Sequence, residues 1–144
     1  MKTSRSLLCV VFALLASLVH AEEKRPALSP EQKTFLTRYE AIRAGLAADD
    51  LAATKKAAAA TTAPSAPTTD AAKKIASAES LAAAREAFKP LSKEAVALAA
   101  GQPGYYHAHC PMVPRNEGDW VQTSKKINNP YFGKSMLTCG SIEN

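Results

Sequence analysis

The sequence predicts a mainly α-helical protein: a small up-and-down bundle of three to four helices, followed by a C-terminal module that is irregular or folds as a β-hairpin. Residues 30–100 are rich in Ala, Leu, Glu and Lys, which are strong helix formers. Apolar residues recur in this stretch at helical spacing. From Gly101 onward the composition changes to Pro, Gly, Asn and aromatic residues. The helices are therefore expected to end near Gly101.

The first helix is expected to begin at Ser29, which suits the N-cap position. Pro30 fits the first helical turn, and Gln32 completes a capping-box pattern with Ser29. One apolar stripe follows at helical spacing and consists of Phe35, Tyr39, Ile42 and Leu46. This stripe predicts that one face of the helix is buried.

The second helix is expected over residues 51–60, with Asp49 and Asp50 ending the first helix or capping this one. Residues 61–69 read TTAPSAPTT, a composition that predicts a linker between helices. Asp70 is then expected to cap a third helix.

The last helix is expected to start at Glu79 or Ser80. Its apolar residues alternate at spacings of three and four, as in helices that pack on one another: Leu81, Ala84, Phe88, Leu91, Ala95 and Leu98. Pro90 lies within this stripe and lacks an N–H donor, so it should kink the helix or start a new one. Gly101 is the expected C-terminal stop.

The C-terminal module shows strand and turn signals. Residues 105–112 alternate loosely and predict a short strand, and residues 120–123 predict its partner after a turn at 116–118. Residues 128–130 read Asn-Asn-Pro, a further turn signal, because the residue before Pro avoids the helical conformation. Three aromatic residues are expected to anchor the module on the helices: Trp120, Tyr131 and Phe132.

The first residues have the pattern of an export signal. Lys2 and Arg5 precede an uncharged apolar run at residues 7–19, and Val19 and Ala21 occupy the small-residue positions of a cleavage site. The run is shorter than the about 20 apolar residues of a membrane span. We therefore expect cleavage after Ala21, a periplasmic location and no stable membrane insertion afterwards.

Residues 22–144 are expected to form a single domain, with the helical bundle at 30–100 and the module at 101–144. The formal charge is +5 for the whole chain. Its lysine pairs are scattered and form no basic stripe interleaved with aromatic residues, so the sequence does not predict nucleic-acid binding.

Two cysteines remain after removal of the signal, because Cys9 lies in the apolar run and only Cys110 and Cys139 follow it. In an oxidising compartment such a pair suggests a disulfide. The competing interpretation is a pair of thiolates that binds a metal ion. A thiol nucleophile activated by His107 or His109 ranks third, because no further residue is placed to orient the histidine.

Two short clusters supply two thiols, two thioethers and two imidazoles: HAHCPM at 107–112 and MLTCG at 136–140. Cu(I) and Ag(I) are soft cations that prefer sulfur ligands, whereas Ca²⁺ and Mg²⁺ prefer oxygen. Zinc accepts Cys and His but has little use for Met, which disfavours it here. The candidate metal ligands are Cys110, Met112, Met136 and Cys139, with a histidine at the rim. On spacing alone, a Cys110–Cys139 disulfide ranks ahead of the metal site, and both methionines can also be read as core residues.

Several of these stretches resemble a known family. CPM at 110–112, GDW at 118–120 and INNPYFGKSMLTCG at 127–140 are similar to a family of bacterial periplasmic domains of unknown function. Members also occur as C-terminal extensions of CusB-like adaptor subunits of heavy-metal efflux pumps. The helical stretches LAADDLAATKKAA at 46–58 and REAFKPLS at 85–92 resemble the family as well.

The resemblance implies Cu(I) or Ag(I) sequestration or delivery in the periplasm, linked to heavy-metal efflux or resistance, and no enzymatic activity. It implies an efflux system or a copper-handling protein as partner. The family's shared Cys and Met residues fall on Cys110, Met112, Met136 and Cys139, and His109 matches an aromatic or His position less closely. The chain shows no long coiled hairpin or β-barrel segment of an adaptor, so we do not expect it to bridge an efflux complex itself.

Overall fold

The structure, a computed structural model, describes residues 26–62 and 65–143. The helices are α1 (Pro30–Ala47), α2 (Leu51–Ala59), α3 (Ala66–Ala76) and α4 (Leu81–Ala99). The strands are β1 (Tyr106–His109), β2 (Asp119–Gln122) and β3 (Ser141–Glu143), and 3₁₀ turns lie at Pro114–Asn116 and Gly133–Met136. The prediction of a mainly helical fold with a C-terminal β module is confirmed. We call residues 30–99 the helical unit and residues 101–143 the C-terminal module.

Three helices begin at the capping residues that the sequence indicated. The Ser29 hydroxyl accepts a hydrogen bond from the Gln32 main-chain N–H, and the Gln32 side chain accepts one from the Ser29 N–H. Asp50 caps α2 and Ser80 caps α4 by the same type of side-chain bond. Each cap satisfies an N–H group that has no partner within its own helix.

Two expectations for the helices are wrong. α3 begins at Ala66, inside the stretch expected to be a linker, and Asp70 lies within the helix instead of capping it. Pro67 sits in the first turn of α3, where a missing N–H costs no helical bond. α4 runs through Pro90 as one helix, so the alternative that Pro90 starts a new helix is wrong. Phe88 and Leu91 on either side of Pro90 are fully buried, and this packing offsets the lost hydrogen bond.

The core lies between the helices. α1 packs on α2 and α4, and α3 packs on α2 and α4. The predicted stripe of α1 is buried along its whole length, as are the four central residues of the α4 stripe: Ala84, Phe88, Leu91 and Ala95. Full burial of a large apolar side chain contributes about 1.5–3 kcal/mol, so these stripes hold the helical unit together.

The C-terminal module contains a three-stranded antiparallel sheet in the order β2-β1-β3. β1 and β2 form the predicted hairpin, with Ala108 opposite Trp120. β3 was not predicted, because it has only three residues and one of them, Ile142, is apolar. β1 ends at His109, so the strand is shorter than the one predicted over residues 105–112, and Cys110 and Met112 lie beyond its end.

Aromatic rings join the C-terminal module to the helical unit. Tyr39 and Phe88 stack with ring centroids 5.2 Å apart, and Phe88 contacts Tyr131 at 5.8 Å. Tyr131 in turn meets the edge of Trp120 at 6.2 Å. Trp120 and Tyr131 are buried, and Phe132 packs against the core. The predicted aromatic anchor is therefore present.

The predicted signal at residues 1–21 lies outside the described residues. So do its expected cleavage site after Ala21 and the cysteine within it, Cys9. Among the residues that the structure does describe, no helix combines the length and apolar character needed to cross a membrane.

Candidate functional site

The two C-terminal cysteines lie side by side. The Sγ atoms of Cys110 and Cys139 are 2.7 Å apart, although the residues are 29 positions apart in the chain. Both are free cysteines; Cys110 is buried and Cys139 is partly exposed. The fold thus brings two thiols together, one on a buried residue and one on a partly exposed residue.

Cys110 is held at the end of the β1–β2 hairpin. It follows the last residue of β1, and its main-chain N–H donates to the Gly118 carbonyl at 3.0 Å, just before β2 begins. The chain then turns, because the Val113 N–H donates back to the Cys110 carbonyl. The hairpin therefore fixes the backbone of Cys110.

Cys139 is held between the second 3₁₀ turn and β3. Its N–H donates to the Met136 carbonyl at 3.0 Å, and its own carbonyl accepts from the Asn129 side-chain amide at 2.9 Å. Gly140 follows with a φ of 127°, and a Cβ there would meet the His109 carbonyl and the Trp120 ring. Only glycine allows this close approach to β1.

The two candidate methionines differ in their surroundings. Met112 is 61% exposed, so it is not buried together with Cys110, which lies two positions earlier. Met136 ends the 3₁₀ turn, is partly buried and is tied to Cys139 by the backbone bond described above. Across residues 26–62 and 65–143, no three His, Cys, Asp or Glu side chains form a ready-made metal site.

The two candidate histidines meet a carboxylate. The same Asp119 oxygen lies 2.8 Å from His107 Nε2 and 3.2 Å from His109 Nδ1. Asp119 lies opposite His109 in the β1–β2 register. His107 and His109 thus share one face of the sheet, and one ring nitrogen of each contacts Asp119.

The thiol pair has a distinctive protonation chemistry. The hydrogen bond with Cys110, together with burial, raises the pKa of the Cys139 thiol to about 11. A thiol with such a pKa is protonated at neutral pH. A metal ion that binds as thiolate must therefore displace its proton.

Several residues that hold the site were not identified from the sequence. Asn129 was read only as part of a turn, yet it is fully buried and bonded to Cys139. Two arginines of the helical unit also donate hydrogen bonds to this loop: Arg43 to the Asn128 carbonyl and Arg85 to the Pro130 carbonyl. From the sequence, Arg85 was expected only to form a surface or half-buried ion pair, because it directly follows the core position Ala84. Arg43 follows Ile42 of the α1 stripe in the same way, and a charge beside a buried stripe needs a partner; this signal could have identified it.

Comparisons with models of protein families, with curated proteins and with solved structures gave no match.

Proposed function

We propose that this chain is a periplasmic protein that binds one soft monovalent cation, Cu(I) or Ag(I), through the sulfurs of Cys110 and Cys139. The observation that supports this is the convergence of the two thiols, held by separate segments with their sulfurs in contact. Thiolate sulfur is the ligand type that Cu(I) prefers. The role is sequestration or delivery of the ion, with no enzymatic activity.

The thiol pair must open slightly to accept an ion. With metal–sulfur distances of roughly 2.3 Å, as for Zn–S bonds, sulfurs at a tetrahedral angle lie about 3.8 Å apart. The present separation is 2.7 Å, so a rotation of the partly exposed Cys139 side chain supplies the difference. Its exposure also gives the ion a route to the buried Cys110.

Further sulfur ligands come from the two methionines. Met136 adjoins Cys139 through the turn, and the exposed Met112 is free of core packing, so its flexible side chain can fold over a bound ion. His109 can join as a ligand through Nε2, because only its Nδ1 contacts Asp119. Zinc is the less favoured ion, because thioether sulfur adds little to its binding.

The helical unit serves in this proposal as an up-and-down bundle that supports the site. The predicted export signal and the family resemblance favour the periplasm as location. A heavy-metal efflux system or a copper-handling protein is the partner we propose, with no role for nucleic acid.

The test is a titration of reduced protein, residues 22–144, with Cu(I) against a competing chelator, with Ag(I) and Zn²⁺ for comparison. We expect about one Cu(I) per chain and loss of tight binding in Cys110→Ser and in Cys139→Ser. Thr138→Ser, a change beside Cys139 that removes no sulfur, is the matched control and should bind like the parent. Copper binding at parental affinity in both cysteine variants would refute the site.

The methionines are tested separately. Met112→Leu and Met136→Leu keep a similar apolar volume and remove the thioether. A weaker Cu(I) affinity with unchanged stability identifies that thioether as a ligand. Parental affinity in both variants leaves the two cysteines as the sulfur ligands.

A second candidate is a structural or interaction domain closed by a Cys110–Cys139 disulfide, with no metal. The contact between the two sulfurs favours it, and closing a loop of this size stabilises a fold by roughly 3–4 kcal/mol in the chain-entropy model. Alkylation followed by intact-mass measurement of protein taken from the periplasm separates the candidates. The disulfide domain is supported if the isolated protein is fully oxidised and binds no Cu(I) even after its disulfide is reduced.

A further inference from the structure

We propose that Asn129 is a positioning residue for the thiol pair: it fixes the backbone of Cys139 so that its sulfur stays opposite that of Cys110. Asn129 is fully buried, and its bonds go to main-chain groups. One of its two tests, the metal affinity, rests on the proposed function. The other, the equilibrium constant for closing the Cys110–Cys139 disulfide, needs only the two thiols.

The side chain of Asn129 joins two parts of the loop. Its Nδ2 donates to the Cys139 carbonyl at 2.9 Å, and its Oδ1 accepts from the N–H groups of Tyr131 and Phe132. Its main-chain N–H donates to the Leu137 carbonyl at 2.8 Å. One residue thus connects the turn after Asn129 to both ends of the segment 137–139. A shift of this turn would shift Cys139 with it.

The helical unit holds this turn on both sides of Asn129. Arg43 Nη1 donates to the Asn128 carbonyl at 2.8 Å, and Arg85 Nε donates to the Pro130 carbonyl at 2.9 Å. Arg43 is buried and its charge is compensated by Glu40. Hydrogen bonds from a charged donor are stronger than neutral ones. The two arginines therefore hold the backbone on both sides of Asn129 in place relative to the helices.

Cys110 is positioned by a different route. The β1–β2 hairpin docks on α4, where the Ser92 hydroxyl donates to the Asp119 carbonyl at 2.8 Å. The helical unit therefore positions both sulfurs, and the Tyr131 hydroxyl links the two routes by donating to the same Asp119 carbonyl at 2.6 Å. Outer residues that orient ligands in this way commonly change metal affinity by about 10–100-fold when they are replaced.

The variant that tests this is Asn129→Asp. The carboxylate keeps the acceptor for Tyr131 and Phe132, but it replaces the amide donor with a group that repels the Cys139 carbonyl. Asn128→Asp is the matched control, with the same chemical change one position earlier, where no bond to Cys139 is involved. Both are compared with the parent at the same pH, after circular dichroism has shown that they fold.

Two constants are measured. The first is the Ag(I) affinity of the reduced protein, by competition. The second is the equilibrium constant for closing the Cys110–Cys139 disulfide with oxidised glutathione: the two thiols lose two electrons and two protons, the sulfur–sulfur bond forms, and oxidised glutathione is reduced to two glutathione thiols. This constant reports how well the two sulfurs are placed, whether or not metal binds.

We expect Asn129→Asp to lower both constants by about tenfold or more, and Asn128→Asp to leave both near the parental values. Parental constants in Asn129→Asp overturn the inference, as does an equal loss in Asn128→Asp. If the parent binds no Ag(I), the proposed function fails, and the disulfide constant alone decides the role of Asn129.

A variant that fails to fold is replaced by Arg43→Met, which removes the bond to the Asn128 carbonyl and leaves Asn129 in place. A several-fold decrease in the disulfide constant is expected in folded Arg43→Met protein. An unchanged constant in this variant overturns the inference.

Discussion

The guanidinium of Arg85 in α4 lies 2.5 Å from the carboxylate of Asp49, the residue that joins α1 to α2. The same carboxylate accepts the Lys134 main-chain N–H at 3.1 Å, and Arg85 also bonds the carbonyls of Leu46 and Pro130. This pair links the two parts of the fold at a point close to the loop that carries Cys139.

Replacing Asp49 by Asn is expected to destabilise the fold by about 2 kcal/mol, because a charged acceptor of two hydrogen bonds is lost. Asn tolerates the positive φ of 57° at this position. Urea unfolding measures the change. The control is Asp70→Asn, which breaks an exposed pair with Lys73 and should change the free energy of unfolding by less than about 0.5 kcal/mol.

The effect of Asp49 should depend on pH. The hydrogen bond from Arg85 lowers the pKa of the Asp49 carboxyl from its ordinary value of 3.8. Its stabilising contribution is therefore fully present above that ordinary pKa and is lost as the pH falls through the lowered value. The difference between the parent and Asp49→Asn should stay constant from pH 7 to 5 and shrink in more acidic buffer. A difference that grows on acidification would contradict this assignment.

Gly133→Ala is expected to cost roughly 3 kcal/mol, from two separate causes. The φ of 56° at Gly133 is strained for any other residue, and a Cβ would collide with the Asp49 carboxylate and the Arg85 guanidinium. Gly104→Ala isolates the first cause, because Gly104 has a φ of 83° and nothing within 4 Å of its Cβ position. That control should cost about 1 kcal/mol. Equal losses of unfolding free energy in the two variants would show that the collision is absent.

Tyr39→Phe tests how the sheet is attached to the helices. The buried Tyr39 hydroxyl accepts the Val121 N–H at 3.2 Å and lies 3.0 Å from the Ser92 hydroxyl. Burial raises the pKa of this phenol well above its ordinary value, so it stays protonated. Its removal leaves a buried N–H without a partner, and we expect a loss of about 2 kcal/mol in the free energy of unfolding.

The control for this change is Tyr106→Phe, at a partly exposed ring that faces Lys125. It keeps the ring and should alter the free energy of unfolding by less than about 0.5 kcal/mol. If Tyr39→Phe is equally neutral, the bond to Val121 contributes nothing to docking.

The helices could be predicted from the sequence because their signals are local. The caps at Ser29, Asp50 and Ser80 act over three residues, and the apolar stripes repeat within a single helix. The start of α3 was predicted too late, because a Pro/Ala/Thr stretch is compatible with both a linker and a first helical turn. Pro90 does not start a new helix as one alternative predicted, because tertiary packing overrides the local helix preference.

The site could be predicted only in part, because its geometry depends on contacts that are distant in the chain. Sequence spacing supplied the two cysteines but left their separation open. The bond from Arg43 to the Asn128 carbonyl spans 85 positions, and the bond from Arg85 to Pro130 spans 45. No periodicity in the sequence relates such residues. The role of Asn129 was not predicted either, because its hydrogen bond to the Cys139 carbonyl spans 10 positions of irregular chain.

The last prediction concerns the reactivity of the reduced thiol pair. The pKa of Cys139 is raised to about 11, chiefly by its hydrogen bond with Cys110. Only the thiolate reacts with iodoacetamide, so alkylation of Cys139 in the parent should be slow at pH 8 and should accelerate up to a pH near the raised pKa. In Cys110→Ala that hydrogen bond is gone, and each unit by which the pKa falls should raise the rate at pH 8 by about tenfold.

The urea-unfolded parent provides the control, because its thiols should titrate near the ordinary pKa of about 8.5. Alkylation of the folded parent at pH 8 as fast as in the unfolded control would mean that the pKa of Cys139 is not raised and that Cys110 is not its hydrogen-bond partner. A slow rate has a consequence for metal binding as well: a soft cation must displace the protons that the pair holds. The apparent Cu(I) affinity of the parent should therefore rise steadily with pH through the neutral range, because fewer protons compete at higher pH.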